Sequence, residues 1–195
     1  MKNSIKIAVL LAIALGTKFA ANAQTTSTES NSPGNSNKII YSAGVESGIT
    51  TGSFKSAYKW NLGGSLQADI PLTSQVYAVI NAGYQNYFGK DNINGTTLSA
   101  ADLHLIPLKA GLKFFPVSSL YIQGEAGAAF VLNKTAGSYD KTAAFIYAPQ
   151  IGYQFPLSDK GLIDAGVNYQ GSASFNDNSK VNSFGLRVAY AFSLK

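Results

Sequence analysis

From Lys38 onward, apolar and polar side chains alternate with a period of two, which predicts extended strands rather than helices. In segment 58–70, the even-numbered positions from Trp60 to Ile70 are apolar or Gly, and the positions between them carry Asn, Gly, Ser, Gln and Asp. Segment 181–194 repeats this pattern. Because successive side chains of a strand point to opposite faces, each segment has one apolar face and one polar face.

Eight segments show this alternation, and most are longer than the five or six residues typical of strands in globular proteins. They span 38–48, 58–70, 76–87, 104–115, 120–132, 143–155, 162–174 and 181–194. Such lengths suit tilted strands that cross a bilayer, which need about 9–11 residues.

The connections between these segments are of two alternating kinds. One kind is a short turn with an apolar residue, Pro, a second apolar residue and then small polar residues, found at 70–74, 115–119 and 155–159. The other kind is more polar and mostly longer, found at 49–57, 88–103, 133–142 and 175–180. This asymmetry is typical of bacterial outer-membrane barrels. It predicts an all-β fold, an eight-stranded antiparallel up-and-down transmembrane β-barrel with short periplasmic turns and longer external loops.

A soluble eight-stranded barrel, such as a lipocalin-like binder, would alternate too. A solvated surface is usually about 25–35% charged, whereas the polar face here is mostly Gly, Ser, Gln, Asn and Ala. The apolar face carries aromatic residues near both strand ends. The loop-end set is Trp60, Tyr84, Phe130, Phe145, Tyr147 and Phe184, and the turn-end set is Tyr41, Phe114, Tyr153, Phe155, Tyr190 and Phe192. Two aromatic belts around smaller aliphatic residues favour the membrane barrel, with the polar face inside.

Two prolines, Pro107 and Pro149, fall inside predicted strands. Each removes a backbone donor from the sheet, and a closed barrel has no free edge where that donor is dispensable. We therefore expect bulges or local strand breaks at both positions.

Residues 1–23 have the three parts of a secretory signal peptide. Lys2 and Lys6 precede the apolar stretch 7–15, and Ala21-Asn22-Ala23 forms a cleavage site. The mature chain is expected to begin at Gln24. Residues 24–37 lack large apolar side chains and predict a disordered periplasmic tether, which leaves 38–195 as the barrel domain.

The signal peptide, the opening strand YSAGVESG, the Gly-rich alternating strands and the closing FGLRVAYAFSLK together resemble the small outer-membrane β-barrel or porin family of Gram-negative bacteria. The resemblance implies location in the cell outer membrane, contact with outer-membrane lipid, and a final strand that the barrel-insertion machinery recognises. Tyr190 and Phe192 match the aromatic-rich final strand, although Leu194 and Lys195 follow them.

The composition of the chain argues against nucleic-acid binding, catalysis and metal binding. Removing residues 1–23 takes away three lysines, which leaves 12 basic against 10 acidic side chains and no basic footprint for nucleic acid. The chain has no Cys and a single His, His104, whose partner position two residues later is Ile106 rather than the Ser of outer-membrane lipid deacylases. The loop acids Asp91, Asp102 and Asp140 are spread over different loops, and we interpret them as solvated charges. We therefore predict no catalytic set, no metal, no cofactor and no enzymatic activity.

The candidate site is a set of seven charged residues that alternation places on the inner face. They are Glu46, Asp69, Lys109, Lys113, Glu125, Asp164 and Arg187. Glu125 is expected across from Lys109 and Lys113, and Arg187 near the level of Glu46. Buried charges need partners, and an eight-stranded interior has room only for side chains or one small ligand.

Two interpretations of this set stay open. We favour a salt-bridged plug inside a non-enzymatic outer-membrane protein with a structural or surface-interaction role. The alternative is a polar conduit in a small porin or in a carrier for small solutes or apolar molecules. The sequence identifies no external partner for the loops.

Overall fold

The computed structural model describes residues 38–91, 99–133, 142–158, 161–173 and 180–193. Its strands are β1 (Ile40–Thr51), β2 (Tyr58–Pro71), β3 (Val76–Gly89), β4 (Leu103–Phe114), β5 (Leu120–Val131), β6 (Ala143–Ser158), β7 (Gly161–Ser172) and β8 (Asn182–Ser193). One turn of 3-10 helix, Gly52–Ser56, follows β1. The expected signal peptide and tether, 1–23 and 24–37, lie outside the described residues. Within those residues, no helix is long and apolar enough to cross a bilayer.

Every strand pairs antiparallel with its neighbours in the chain, and β8 pairs with β1 to close the ring. Glu46 stands opposite Arg187 at this closure. The predicted fold class, an all-β eight-stranded antiparallel up-and-down barrel, is confirmed. The predicted strand limits are off by up to three residues, as at β6, which continues beyond the expected end at 155 to Ser158. A register shift between Pro156 and Ser158 accommodates the proline within that strand.

The barrel turns its apolar face outward and its polar face inward. On β2, Leu66 is 66% exposed, whereas its neighbours Ser65 and Gln67 are 7% and 4% exposed. Ile80 on β3 and Val167 on β7 are also exposed. A soluble barrel would show the opposite arrangement, since its apolar side chains fill the interior.

Of the bulges or local strand breaks expected at the two strand prolines, no bulge forms, and the break is limited to one of the two ladders of each strand. Pro107 pairs with Ala129 and Pro149 pairs with Gly124 in uninterrupted registers. On the other side of each strand the pairing pauses and then resumes in the same register, from Leu108 to Leu105 on β4 and from Tyr147 to Gln150 on β6. The residues of an antiparallel strand bond alternately to one neighbour and to the other, so a missing donor interrupts only one ladder.

Apolar side chains pack inside the barrel at both of its ends. The loop-end layer consists of Phe54, Tyr58, Tyr87, Leu103, Leu105, Ala129, Val131, Ala144, Ile146 and Val181. The turn-end layer consists of Ile40, Tyr77, Phe115, Tyr121 and Ala191. The members of both layers lie at the ends of the strands or just beyond them, so the middle of each strand is left to supply the polar interior.

Candidate functional site in the barrel interior

All seven charged residues of the candidate site lie inside the barrel, and none is more than 8% exposed. They come from six strands: Glu46 from β1, Asp69 from β2, Lys109 and Lys113 from β4, Glu125 from β5, Asp164 from β7 and Arg187 from β8. Along β1, β4, β5 and β8 they fall between the loop-end and the turn-end apolar layers. We call these seven residues the charged layer.

Lys113 forms the centre of the charged layer. Its Nζ lies 2.6 Å from Asp69 Oδ2 and 3.3 Å from Asp164 Oδ2. The ammonium also sits 4.4 Å from the centroid of the Tyr121 ring, within the range of a cation–π contact. Because β4 is not adjacent to β2 or β7, this side chain connects walls of the barrel that share no backbone hydrogen bonds.

Arg187 extends the network towards β1. Its Nε lies 3.5 Å from Glu46 Oε1, and its Nη1 lies 3.6 Å from Asp164 Oδ1. The guanidinium also donates to two hydroxyls, to Ser65 Oγ at 3.1 Å and to Ser42 Oγ at 2.9 Å. Asp164 therefore contacts both cations, and a continuous series of charges runs from Asp69 to Glu46.

Lys109 and Glu125 form a separate pair, with Nζ and Oε2 3.0 Å apart. Glu125 stands opposite Gly111, between the positions of the two β4 lysines. Alternation placed Glu125 across from both lysines, but only Lys109 pairs with it. Lys113 instead reaches across the lumen to Asp69 and Asp164.

Neutral polar side chains donate further hydrogen bonds to two of the carboxylates. Asp164 accepts hydrogen bonds from Tyr121 Oη at 2.6 Å and from Gln154 Nε2 at 2.9 Å. Asp69 accepts one from Gln67 Nε2 at 2.7 Å. These bonds supply the partners that charges need when they are removed from bulk water. Sequence reasoning identified the glutamines but missed Tyr121, whose place on the inner face follows from its having the same parity as Gln123 and Glu125.

Glycines on the inner face make room for this network. A Cβ built at Gly152 would overlap the end of the Tyr121 ring, and one built at Gly166 would meet Gln150 Nε2 at 2.6 Å. A Cβ at Gly166 would also come within 2.7 Å of Tyr121 Oη, so Tyr121 lies over two positions that lack side chains. A larger residue at either position would push the phenol away from Asp164.

A small cavity lies on the loop side of the charged layer. It has a volume of about 10 Å³, and its lining residues are Glu46, Ser47, Asn61, Gln85, Asn168, Gln170, Ser183 and Gly185. A cavity of this size holds about one water molecule. The lining includes one carboxylate, Glu46, which already contacts Arg187 and accepts a bond from Gln85.

His104 lies on the opposite side of the barrel wall from the charged layer. Its Nδ1 is 2.7 Å from Tyr84 Oη, and the two rings stack with centroids 6.0 Å apart. Among the described residues, no group of three or more His, Asp or Glu side chains is arranged to hold a metal ion.

Sequence reasoning also missed the apolar end layers. Leu103 and Leu105 have the same parity as Lys109, and Val131 has the same parity as Glu125, so alternation alone places them on the inner face. The interior consequently has three layers, with the charged layer between two apolar ones.

Comparison with solved structures identifies the architecture. Neisserial surface protein A (NspA) superposes with a TM-score of 0.59 at 15% identity, over 82% of this chain and 98% of that structure. The outer membrane protein OprG from Pseudomonas aeruginosa gives a TM-score of 0.58 at 11% identity, over 84% and 98% of the two chains. The fold is that of the small eight-stranded outer-membrane barrels.

A third outer-membrane barrel, AlkL, whose structure was determined in DMPC lipid bilayers, gives a TM-score of 0.54 at 13% identity, over 88% of this chain and 96% of that one. No family model matches the chain, and neither does any curated protein. At such identities the likeness is one of fold. The likeness therefore assigns no role to the charged layer.

Proposed function

We propose that this protein is a non-enzymatic integral barrel of the bacterial outer membrane, with its lumen closed by side chains. It has a structural role in the envelope and presents its longer loops to external partners. The observation that carries the proposal is the three-layered interior, in which paired charges lie between two apolar layers. The exposed belt that includes Leu66, Ile80 and Val167 supports contact with lipid.

The pairing of the charges inside the lumen supports the proposal that the lumen is closed. Each cation of the charged layer lies within 4 Å of a carboxylate. Ions crossing the barrel would have to displace these partners and then pass apolar side chains such as Tyr77 and Phe115, which are fully buried. An eight-stranded barrel has little interior space to begin with.

Assembly is part of the same proposal. Residues 1–23 act as a cleavable signal peptide for passage through the inner membrane, 24–37 form a periplasmic tether, and the insertion machinery recognises β8. Fractionation is expected to recover a mature chain beginning at Gln24 in the outer membrane. Its folded form is expected to migrate differently from the boiled form in gels. Recovery as a soluble periplasmic protein would contradict the proposal.

The alternative function is that of a small porin or carrier, and the polar cavity beside Glu46 favours it. Conductance across a planar bilayer separates the two functions. Purified folded protein is expected to give no steady current steps if the lumen is closed. A reproducible, well-resolved open channel would favour the porin.

A further inference from the structure

A β-bulge at the loop end of β2 changes which side chains face outward. The register between β2 and β3 shifts between Tyr58 and Asn61. Lys59 and Trp60 consequently both stand opposite Phe88, two residues against one. Both are exposed, whereas regular alternation would have turned one of them into the lumen. Bulges of this kind re-aim side chains at barrel rims.

The bulge places a cation beside an aromatic pair. The rings of Trp60 and Phe88 stack with centroids 4.2 Å apart and an interplanar angle of 19°. Aromatic residues at strand ends lie at the boundary between acyl chains and headgroups. Lys59, one residue nearer the loop than Trp60, has a flexible stem long enough to carry its ammonium from this boundary to the headgroups.

Two more lysines converge on the same rim. The Lys90 backbone N–H donates to the Ala57 carbonyl at 2.8 Å, and Lys90 Nζ donates to the Lys55 carbonyl at 2.5 Å. These bonds hold the end of β3 against the 3-10 turn that carries Lys55, which is exposed. We call Lys55, Lys59, Trp60, Phe88 and Lys90 the bulge patch.

Two acids, Asp91 and Asp102, lie beside the three lysines of the bulge patch and leave it with a net charge of +1. Asp102 already accepts hydrogen bonds from the Gly89 N–H at 3.0 Å and from Asn86 Nδ2 at 3.5 Å. Asp91 is the exposed acid beside Lys90. The following residues 92–98 carry no charge. Three lysines at the rim beside one stacked aromatic pair make a surface for an anion with an apolar part attached.

We propose that the bulge patch binds a phosphate-bearing lipid headgroup of the surrounding outer leaflet. The lysines contact the phosphate, and Trp60 and Phe88 contact the start of the acyl chains. This inference rests on the proposed membrane location and adds a specific lipid site to it. A free phosphate ion would use the lysines and leave the aromatic pair without a role, so the patch fits a lipid better than a soluble anion.

Trp60 gives a local readout, because it is the only Trp of the chain. The full-length folded protein in zwitterionic detergent is titrated with bis-phosphorylated lipid A and, separately, with dephosphorylated lipid A, while Trp60 emission is recorded. Native mass spectrometry counts the bound lipids. The phosphorylated lipid is expected to bind more tightly and to change Trp60 emission at saturation. Equal binding of the two lipids would overturn the proposal, as would equally tight saturable binding of inorganic phosphate.

Charge variants test the patch itself. Lys59→Gln and Lys90→Gln are each expected to weaken binding of the phosphorylated lipid about fivefold, as expected for one basic side chain at an anionic membrane surface. Asp91→Asn is expected to tighten it. The matched control is Lys38→Gln, which removes the same charge from the turn end and is expected to change nothing. Equal loss with Lys38→Gln would overturn the site. A heat-dependent gel shift is measured first, because failure to fold as a barrel would instead refute the proposed function.

Discussion

Asp164 on β7 contacts two cations that come from different walls of the barrel. Its Oδ2 lies 3.3 Å from Lys113 Nζ on β4, and its Oδ1 lies 3.6 Å from Arg187 Nη1 on β8. Strands β4 and β7 are separated by two other strands, so this carboxylate links parts of the wall that the backbone does not join directly. The charged layer therefore acts as a cross-brace, and variants of its members are expected to destabilise the barrel as a whole.

Arg187→Ala is expected to destabilise the barrel by about 3 kcal/mol. The change leaves Glu46 and Asp164 buried without the guanidinium, and one-sided loss of a buried pair typically costs about 3–5 kcal/mol. Urea unfolding in lipid vesicles measures the loss. Arg187→Lys keeps the charge but loses the hydrogen bonds to Ser42 and Ser65. Its stability is therefore expected to lie between that of the native protein and that of Arg187→Ala. Equal stability of Arg187→Ala and the native protein would refute the cross-brace.

Lys113→Met tests whether Asp69 and Asp164 depend on one shared cation. The variant leaves two buried carboxylates without that cation, and Asp69→Asn in the same background removes one of the two charges. We expect the double variant to be more stable than the sum of the single effects predicts, with a coupling free energy of about 1–3 kcal/mol. Unfolding titrations of the four proteins in the cycle measure it.

The control for this cycle is Lys109→Met combined with Asp69→Asn. Lys109 pairs with Glu125, so its effect is expected to add to that of Asp69→Asn. Coupling of similar size in both cycles would mean that the two lysines belong to one undivided network.

The outward face is tested by lysines placed at different depths. Ala82→Lys and Val167→Lys put a charge near the middle of β3 and of β7, where contact with lipid costs about 2–4 kcal/mol. Ile49→Lys is equally outward-facing but lies at the loop end, opposite Trp60 and Phe184, where the cost is about 0–1 kcal/mol. Folding titrations in vesicles compare them. Equal effects at the two depths would contradict a membrane-spanning belt.

The glycines under Tyr121 give a prediction about packing. Gly152→Val is expected to cost about 1–3 kcal/mol, the usual range for overpacking, because its side chain overlaps the phenol. Tyr121→Ala vacates the space that the valine needs. The loss of unfolding free energy caused by Tyr121→Ala is therefore expected to be smaller in the Gly152→Val background than in the native protein. Unfolding titrations measure both differences. If Tyr121→Ala costs the same in either background, the two side chains do not compete for space.

Alternation predicted the faces of the strands well, because a period of two determines which side of a sheet each residue occupies. It placed all seven members of the charged layer and the exposed position of Leu66. It did not determine the partners of Lys113, because long side chains cross a narrow lumen to strands that are distant in sequence. The bulge at Lys59 and Trp60 was also missed, since a sequence shows two successive side chains without showing that both oppose Phe88.

The local effect of Pro107 and Pro149 was misjudged for a related reason. A missing N–H matters only to the neighbouring strand that it faces, and the intact ladder on the other side holds the register. Sequence alone gives the position of a proline but not the direction in which its nitrogen points.

The three layers of the interior are expected to block ion flow independently of one another. They lie in series along the lumen, so an ion must pass all of them, and under the proposed function each layer that remains intact is expected to keep the barrel closed. Arg187→Ala opens only the charged layer, and the double variant Tyr77→Ala/Phe115→Ala opens only the turn-end layer. Neither is expected to give steady conductance in a planar bilayer, because the loop-end cluster that includes Tyr87 and Leu105 is left unchanged and is expected to keep water out. Steady current from Arg187→Ala alone would mean that the ion pairs close the lumen by themselves, and the apolar ends would then have no part in the seal.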